Sequence, residues 1–382
     1  MKILNYELPN MEQTIKLAQS IKGAAITVMA AGAAAIGGVG TYNAVTSDTV
    51  IVEPLRVPKV FEEMGFSSEV TTARLLDEVT TLGRTQSSSA KERVSVLSKS
   101  KENDLERLSL KGADTKTVQN TIQETLGIQK QRITGEITYS QDADDASPAG
   151  RTYHVRLRKL PSNNTLLDMT AKGEPQAVLQ QAALGMIEVF DPHIAASIYW
   201  RAKDETNALR MIDVVLNNDD PADDKFSLNL RGYIHVTHKE LDEAWSMFER
   251  IQKIDPNFAP QYNLASMVYL ERKQFPESIA AADKVMALAP DKYWGAFAKA
   301  KAMRESKQSE QALALFRQTL TFKPDAPAPY VQAANFFNAQ KLPDEAMNTA
   351  KRGLQLYPQN EALQKLVSDL QAPKSQEPKP EK

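Results

Sequence analysis

Ile254-Asp255-Pro256, Leu288-Ala289-Pro290, Phe322-Lys323-Pro324 and Leu356-Tyr357-Pro358 are four matching phrases, and each proline stands 34 residues after the one before. Proline stops a helix, because it lacks an amide hydrogen and its ring pushes the preceding residue out of the helical region. A fixed period of this length marks a chain assembled from one repeated supersecondary unit. With each proline at position 32, the units begin at Lys225, Ala259, Tyr293 and Pro327.

The rest of each unit keeps the same phase. Position 8 holds Gly232, Ser266, Ala300 and Ala334, and position 20 holds Ala244, Ser278, Ala312 and Ala346. Small side chains at two fixed points let two helices cross at close range. Position 4 holds Leu228, Tyr262, Ala296 and Tyr330; position 11 holds His235, Tyr269, Met303 and Phe337; position 24 holds Phe248, Ala282, Phe316 and Ala350.

This set of residues resembles the tetratricopeptide repeat, of a bacterial, membrane-anchored type. The resemblance implies a mainly α fold, a right-handed superhelix of helical hairpins over 225–358. It departs from the family pattern in having no Trp at position 4, Lys299 where Leu is usual, and Thr319 and Gly353 at position 27. A single hairpin cannot bury its apolar face, so hairpins stack into one continuous core and the ends need caps. Residues 359–372, with Leu363, Leu366, Val367 and Leu370 at helical spacing, read as a capping helix. Residues 191–224 read as a degenerate hairpin, with Tyr199, Ala208 and Pro221 near the expected places. The tail from 373 is charged, proline-rich and expected to be disordered.

The resemblance also implies a binding surface. In this family the first helices line a concave groove, which here carries over to Phe226, Asn229, Tyr233, Asn263, Met267, Trp294, Phe297, Lys301, Arg304, Val331, Asn335 and Asn338. Aromatic rings among amides and cations suit capture of a peptide, whose main chain the amides can hydrogen-bond. The Lys/Asn arrangement with which some members clamp a chain-terminal carboxylate is not reproduced.

Upstream, residues 46–190 read as a small α+β domain. Thr49–Pro54 is a β-branched run, Pro58 opens a short helix ended by Gly65, and a longer helix runs from Ser67 or Ser68 to Gly83. A polar insert near 84–114 is expected to be partly disordered. A helix over 115–126 leads to three strands at 132–140, 151–160 and 165–170, with Tyr153, Val155 and Leu157 alternating against His154, Arg156 and Arg158. A helix near 174–189 closes the region. This order is similar to the N-terminal domain of TolB-like tetratricopeptide proteins, a likeness that implies no activity.

At the start of the chain, a tail of 22 residues precedes 23 uncharged residues, Gly23–Val45. About 20 helical residues cross a bilayer core, so this stretch is expected to be an uncleaved transmembrane helix, with a cleaved signal peptide or a soluble helix as the alternatives. Ala30, Ala34 and Gly38 recur four apart, a spacing that suits helix pairing in lipid and a possible homo-oligomer. Lys2, Lys16 and Lys22 favour a cytoplasmic N-terminus in the inner membrane, with the bulk extracytoplasmic.

With 46 basic and 48 acidic residues, the net charge of -2 argues against a nucleic-acid partner. The absence of cysteine removes disulfides, thiolate nucleophiles and Cys-based metal sites. His235 and His238 have a metal-compatible spacing but no third ligand near in sequence, and no catalytic motif is present. The expectation is therefore not an enzyme: no catalytic, cofactor or metal site, and a membrane-anchored adaptor binding a protein or peptide. The alternative is a ligand sensor or enzyme in the α+β domain, with the repeats regulating it.

Overall fold

The computed structural model describes residues 51–85, 132–141, 150–218, 221 and 224–371. The expected membrane helix at 23–45, the helix at 115–126, the insert beyond 85 and the tail from 373 lie outside the described residues. Among the described residues, no helix is long and apolar enough to cross a membrane. The chain divides into two compact units, Met1–Ala195 and Ala196–Lys382.

In the first unit, strand β1 (Ile51–Val52) pairs parallel with β2 (Arg132–Gln141), which continues antiparallel to β3 (Arg151–Leu160) and β4 (Asn164–Lys172). The β1 ladder breaks at Pro54, which has no amide to add to it. Pairing resumes past it, where the Arg56 amide donates to the Gly135 carbonyl and the Ile137 amide to that of Arg56. The helices are α1 (Lys59–Glu63), N-capped by Pro58, α2 (Ser68–Thr85) and α3 (Pro175–Phe190).

Alternation sorts the sheet faces. Ile133, Ile137, Tyr153, Val155, Leu157 and Ala171 are buried, and Phe61 of α1 meets the Tyr153 ring edge-on at 5.2 Å. The opposite face carries Arg156–Asp168 at 2.8 Å and Arg158–Glu136 at 3.3 Å. Helix α3 packs on β4 where Gly185 leaves room, since a Cβ there would lie 2.8 Å from Leu167 Cδ1.

The second unit opens within α4 (Pro192–Arg201) and continues through α5 (Glu205–Leu216). Four hairpins follow. Their first helices are α6 (Asp224–Thr237), α8 (Ala259–Glu271), α10 (Trp294–Glu305) and α12 (Pro327–Ala339). Their second helices are α7 (Leu241–Ile254), α9 (Phe275–Leu288), α11 (Ser309–Thr321) and α13 (Pro343–Leu356). Helix α14 (Glu361–Gln371) ends the array, covering Tyr330 and Phe337 with Leu363.

The crossing points are as tight as their residues require. Ser266 and Ser278, at positions 8 and 20 of one unit, exchange hydroxyl-to-carbonyl hydrogen bonds of 2.9 and 2.8 Å. Ala300, Ala312 and Ala346 are fully buried. The departures from the family pattern have local compensations. Lys299 pairs with Asp283 of α9 at 2.7 Å. Thr319 is fully buried and turns its hydroxyl to the Leu315 carbonyl at 2.8 Å. Gly353 admits Tyr330, whose Cβ would lie 2.7 Å from a Cβ at 353.

Each turn from first to second helix repeats one left-handed residue: Lys203, Lys239, Lys273, Lys307 and Lys341 have φ between 60° and 65°. The amide after each closes the same bond, as Gln274 to Tyr269 at 2.9 Å and Asp204 to Tyr199 at 2.9 Å. The hairpin α4–α5 therefore turns as the four phased ones do.

Candidate functional site

Among the first helices, α6 touches α8 and α8 touches α10, while α12 touches the end helix α14. Positions 5 and 9 of each unit lie one turn apart, and so on one face of their helix. They give two rows: Asn229, Asn263, Phe297 and Val331, then Tyr233, Met267, Lys301 and Asn335.

The structure joins two of these residues directly. Asn263 Nδ2 donates to Tyr233 Oη at 2.7 Å. Burial pushes the Tyr233 hydroxyl up to about 12, partly offset by the side-chain amides of Asn263 and Asn229. Asn229 is 4% exposed, and its side-chain carbonyl oxygen has no hydrogen-bond partner. A buried acceptor left unpaired costs about 1–3 kcal/mol.

Further along, Phe297 lies over Lys301, with Nζ 5.1 Å from the ring centroid, and meets Phe316 at 6.3 Å. Desolvation pushes the Lys301 ammonium down to about 8, with the like charge of Arg304 adding to the effect and Glu271 opposing it. Arg304 is held by Glu305 at 2.9 Å. Lys292 sits 5.9 Å over the Trp294 ring, Met267 and Val331 are half-buried, and Asn335 and Asn338 are exposed.

One expected face residue is spent on packing. Phe226 meets Phe258 edge-on at 5.3 Å, under Lys225, which is itself paired to Asp255 at 2.7 Å. One residue absent from the expectation lies beside Phe297. The Tyr293 ring, at position 1, stands 6.4 Å from that of Phe297, and burial and the Asp325 carboxylate hold its hydroxyl well above the ordinary phenol range. Position 1 carried no family expectation, so only the fold brings it forward.

The two histidines are engaged singly, His235 Nδ1 with Glu240 at 2.6 Å and His238 Nε2 with Glu205 at 3.1 Å. No group of three or more metal-ligating side chains occurs among the described residues.

Residues 303–370 match the family model of the tetratricopeptide repeat. No curated protein matches the chain. Among solved structures, a tetratricopeptide protein of Thermus thermophilus is 14% identical, with 47% of this chain and 97% of that one covered and a TM-score of 0.42. One from Parabacteroides merdae is 15% identical, covering 50% and 75%, with a TM-score of 0.42. PilW, described as a type IV pilus biogenesis factor, is 19% identical, covering 47% and 88%, with a TM-score of 0.37. The tetratricopeptide match falls on residues 303–370, within an array of helical hairpins.

Proposed function

We propose that this repeat array is the binding part of a membrane-anchored adaptor, holding a segment of a protein partner along the face shared by α6, α8, α10 and α12. The observation that carries the reading is the run of amide, aromatic and cationic side chains along the first helices, from the Tyr233–Asn263 hydrogen bond to the Phe297–Lys301 contact. An extended or helical peptide supplies hydrogen-bonding groups for the amides and apolar area for the rings. The uncharged stretch 23–45 is the proposed anchor, single-pass in the inner membrane with the repeats extracytoplasmic. Nothing in this reading asks the chain for catalysis.

A photo-reactive phenylalanine analogue placed at Met267 or Asn335 tests it, with exposed Lys284 of α9 and Arg250 of α7 as controls on the second helices. We expect one discrete adduct in intact cells from the first pair and none from the second. Equal labelling from all four positions, or none from any, sinks the groove reading. Extraction with alkaline carbonate tests the anchor: the full chain stays with the membrane, and a chain lacking 23–45 is released.

A further inference from the structure

The half-buried cations of the repeat array are, with one exception, matched to acids. Lys225 meets Asp255 at 2.7 Å, Lys299 meets Asp283 at 2.7 Å, and Arg272 meets Asp242 at 2.5 Å. Arg231 is paired with Asp213, and Arg304 with Glu305 at 2.9 Å. Lys301 is the exception. Among the described residues no carboxylate reaches ion-pair distance of its Nζ, and its close polar-to-aromatic contact is the face of Phe297 at 5.1 Å. A half-buried ammonium with no acid in ion-pair contact is costly, because the more distant charge of Glu271 offsets its desolvation only in part. Lys299, two positions earlier, shows that this same helix holds a matched lysine where packing alone is at stake.

We propose that Lys301 receives a side-chain carboxylate, Asp or Glu, of the partner segment, with the Phe297 ring packed under the same contact; this rests on the groove reading above. Arg304 is already occupied by Glu305, so the site takes one carboxylate. The row at position 9 runs from Tyr233 and Met267 before Lys301 to Asn335 after it. A segment laid along the row therefore passes Lys301 in mid-course, and offers it a side chain instead of a chain end. The ammonium supplies up to three donors to that carboxylate, and removal from water makes the pair stronger than a surface one.

The test pans random peptides displayed on phage against the full chain in nonionic detergent micelles. The peptides are fused through their C-terminal ends, so no free terminal carboxylate is offered. Wild type is expected to enrich peptides bearing Asp or Glu. The bias should vanish with Lys301→Met, persist with Lys301→Arg, and invert to Lys or Arg with Lys301→Glu. An enriched peptide, synthesised as its amide, should lose about tenfold or more in affinity on Lys301→Met. With wild type its affinity should fall as pH rises through about 8, where the free ammonium loses its proton; with Lys301→Arg it should not. Enriched peptides without an acidic bias, or with a bias that survives Lys301→Met, overturn the proposal and leave the groove reading standing. Absence of any enriched peptide overturns both.

Discussion

The repeat array and the sheet-bearing unit bury their apolar residues with partners drawn from very different distances along the chain. In the array, each first helix packs on its own second helix and on the hairpin that follows: Gly232 faces Leu264, and Ser266 faces Ser278. In the other unit, Ile51 pairs with Arg132 and Phe61 packs on Tyr153. The array is thus a sum of neighbour contacts, whereas the sheet core holds or fails as one piece. The difference sets how far damage at one point should spread.

The largest expected effect comes from emptying either core. Phe316→Ala and Phe61→Ala should each cost about 3–5 kcal/mol. Hydrogen exchange then separates the units. Phe316→Ala should speed exchange in α10–α14 first and leave α4–α7 slower, while Phe61→Ala should speed all of β2–β4 together. Uniform acceleration along the whole array would break the comparison.

Next come the two close approaches at glycine. A Cβ on Gly135 would lie 2.5 Å from the Arg156 carbonyl oxygen, which the sheet ladder holds in place. One on Gly232 would strike the tip of the Leu264 side chain, which can rotate away. Gly135→Ala should cost about 2–3 kcal/mol and Gly232→Ala about 1 kcal/mol, read from urea midpoints. The reverse order would mean that the sheet yields more easily than the helices.

Within the array, two lysines on α10 sharpen the contrast between packing and binding. Lys301→Met should stabilise the protein by about 1–2 kcal/mol near neutral pH, by removing an ammonium whose desolvation Glu271 offsets only in part. The Lys301 ammonium is lowered in the folded chain, so the unfolded chain binds more protons between about 8 and its ordinary value of 10.5. Wild-type stability therefore rises through that window, and the gain from Lys301→Met fades there. Lys299→Met, which deserts Asp283, should instead cost up to about 1 kcal/mol. The same sign at both positions would remove the reason for treating Lys301 as a binding residue.

The smallest effect is expected at Arg317–Glu345, a two-point pair of 2.7 and 2.9 Å between α11 and α13. The hydrogen bond from Arg317 holds the Glu345 carboxyl below its ordinary range. Its contribution is present above that range and is lost as pH falls through the lowered value. Glu345→Gln should cost about 0.5–1 kcal/mol, less in high salt, by thermal melts near neutral pH.

Much of the array was legible because its signals are local. A proline two residues past Ile254, Leu288 and Leu356 stops a helix whatever surrounds it, and alanine or serine at a crossing reports close contact from composition alone. The lysine recurring at 239, 273, 307 and 341 was equally visible as a period, but nothing local assigns it a left-handed backbone, which costs a residue with a Cβ about 1–2 kcal/mol. The strands β2–β4 were readable from alternation, while the pairing of β1 with β2, across residues 53–131, was not.

The sequence by itself determined the period, the helix stops and the small crossing residues, because each depends on chain chemistry within about one turn or one repeat; the twelve face positions were carried over from the family resemblance. Only the tertiary structure decided how those positions are used. It turned Phe226 against Phe258, joined Tyr233 to Asn263, and brought Tyr293 beside Asp325. It also separated Lys299 from Lys301. At about 100° per residue, two positions apart on a helix face different neighbours, and only Lys299 finds an acid at ion-pair distance.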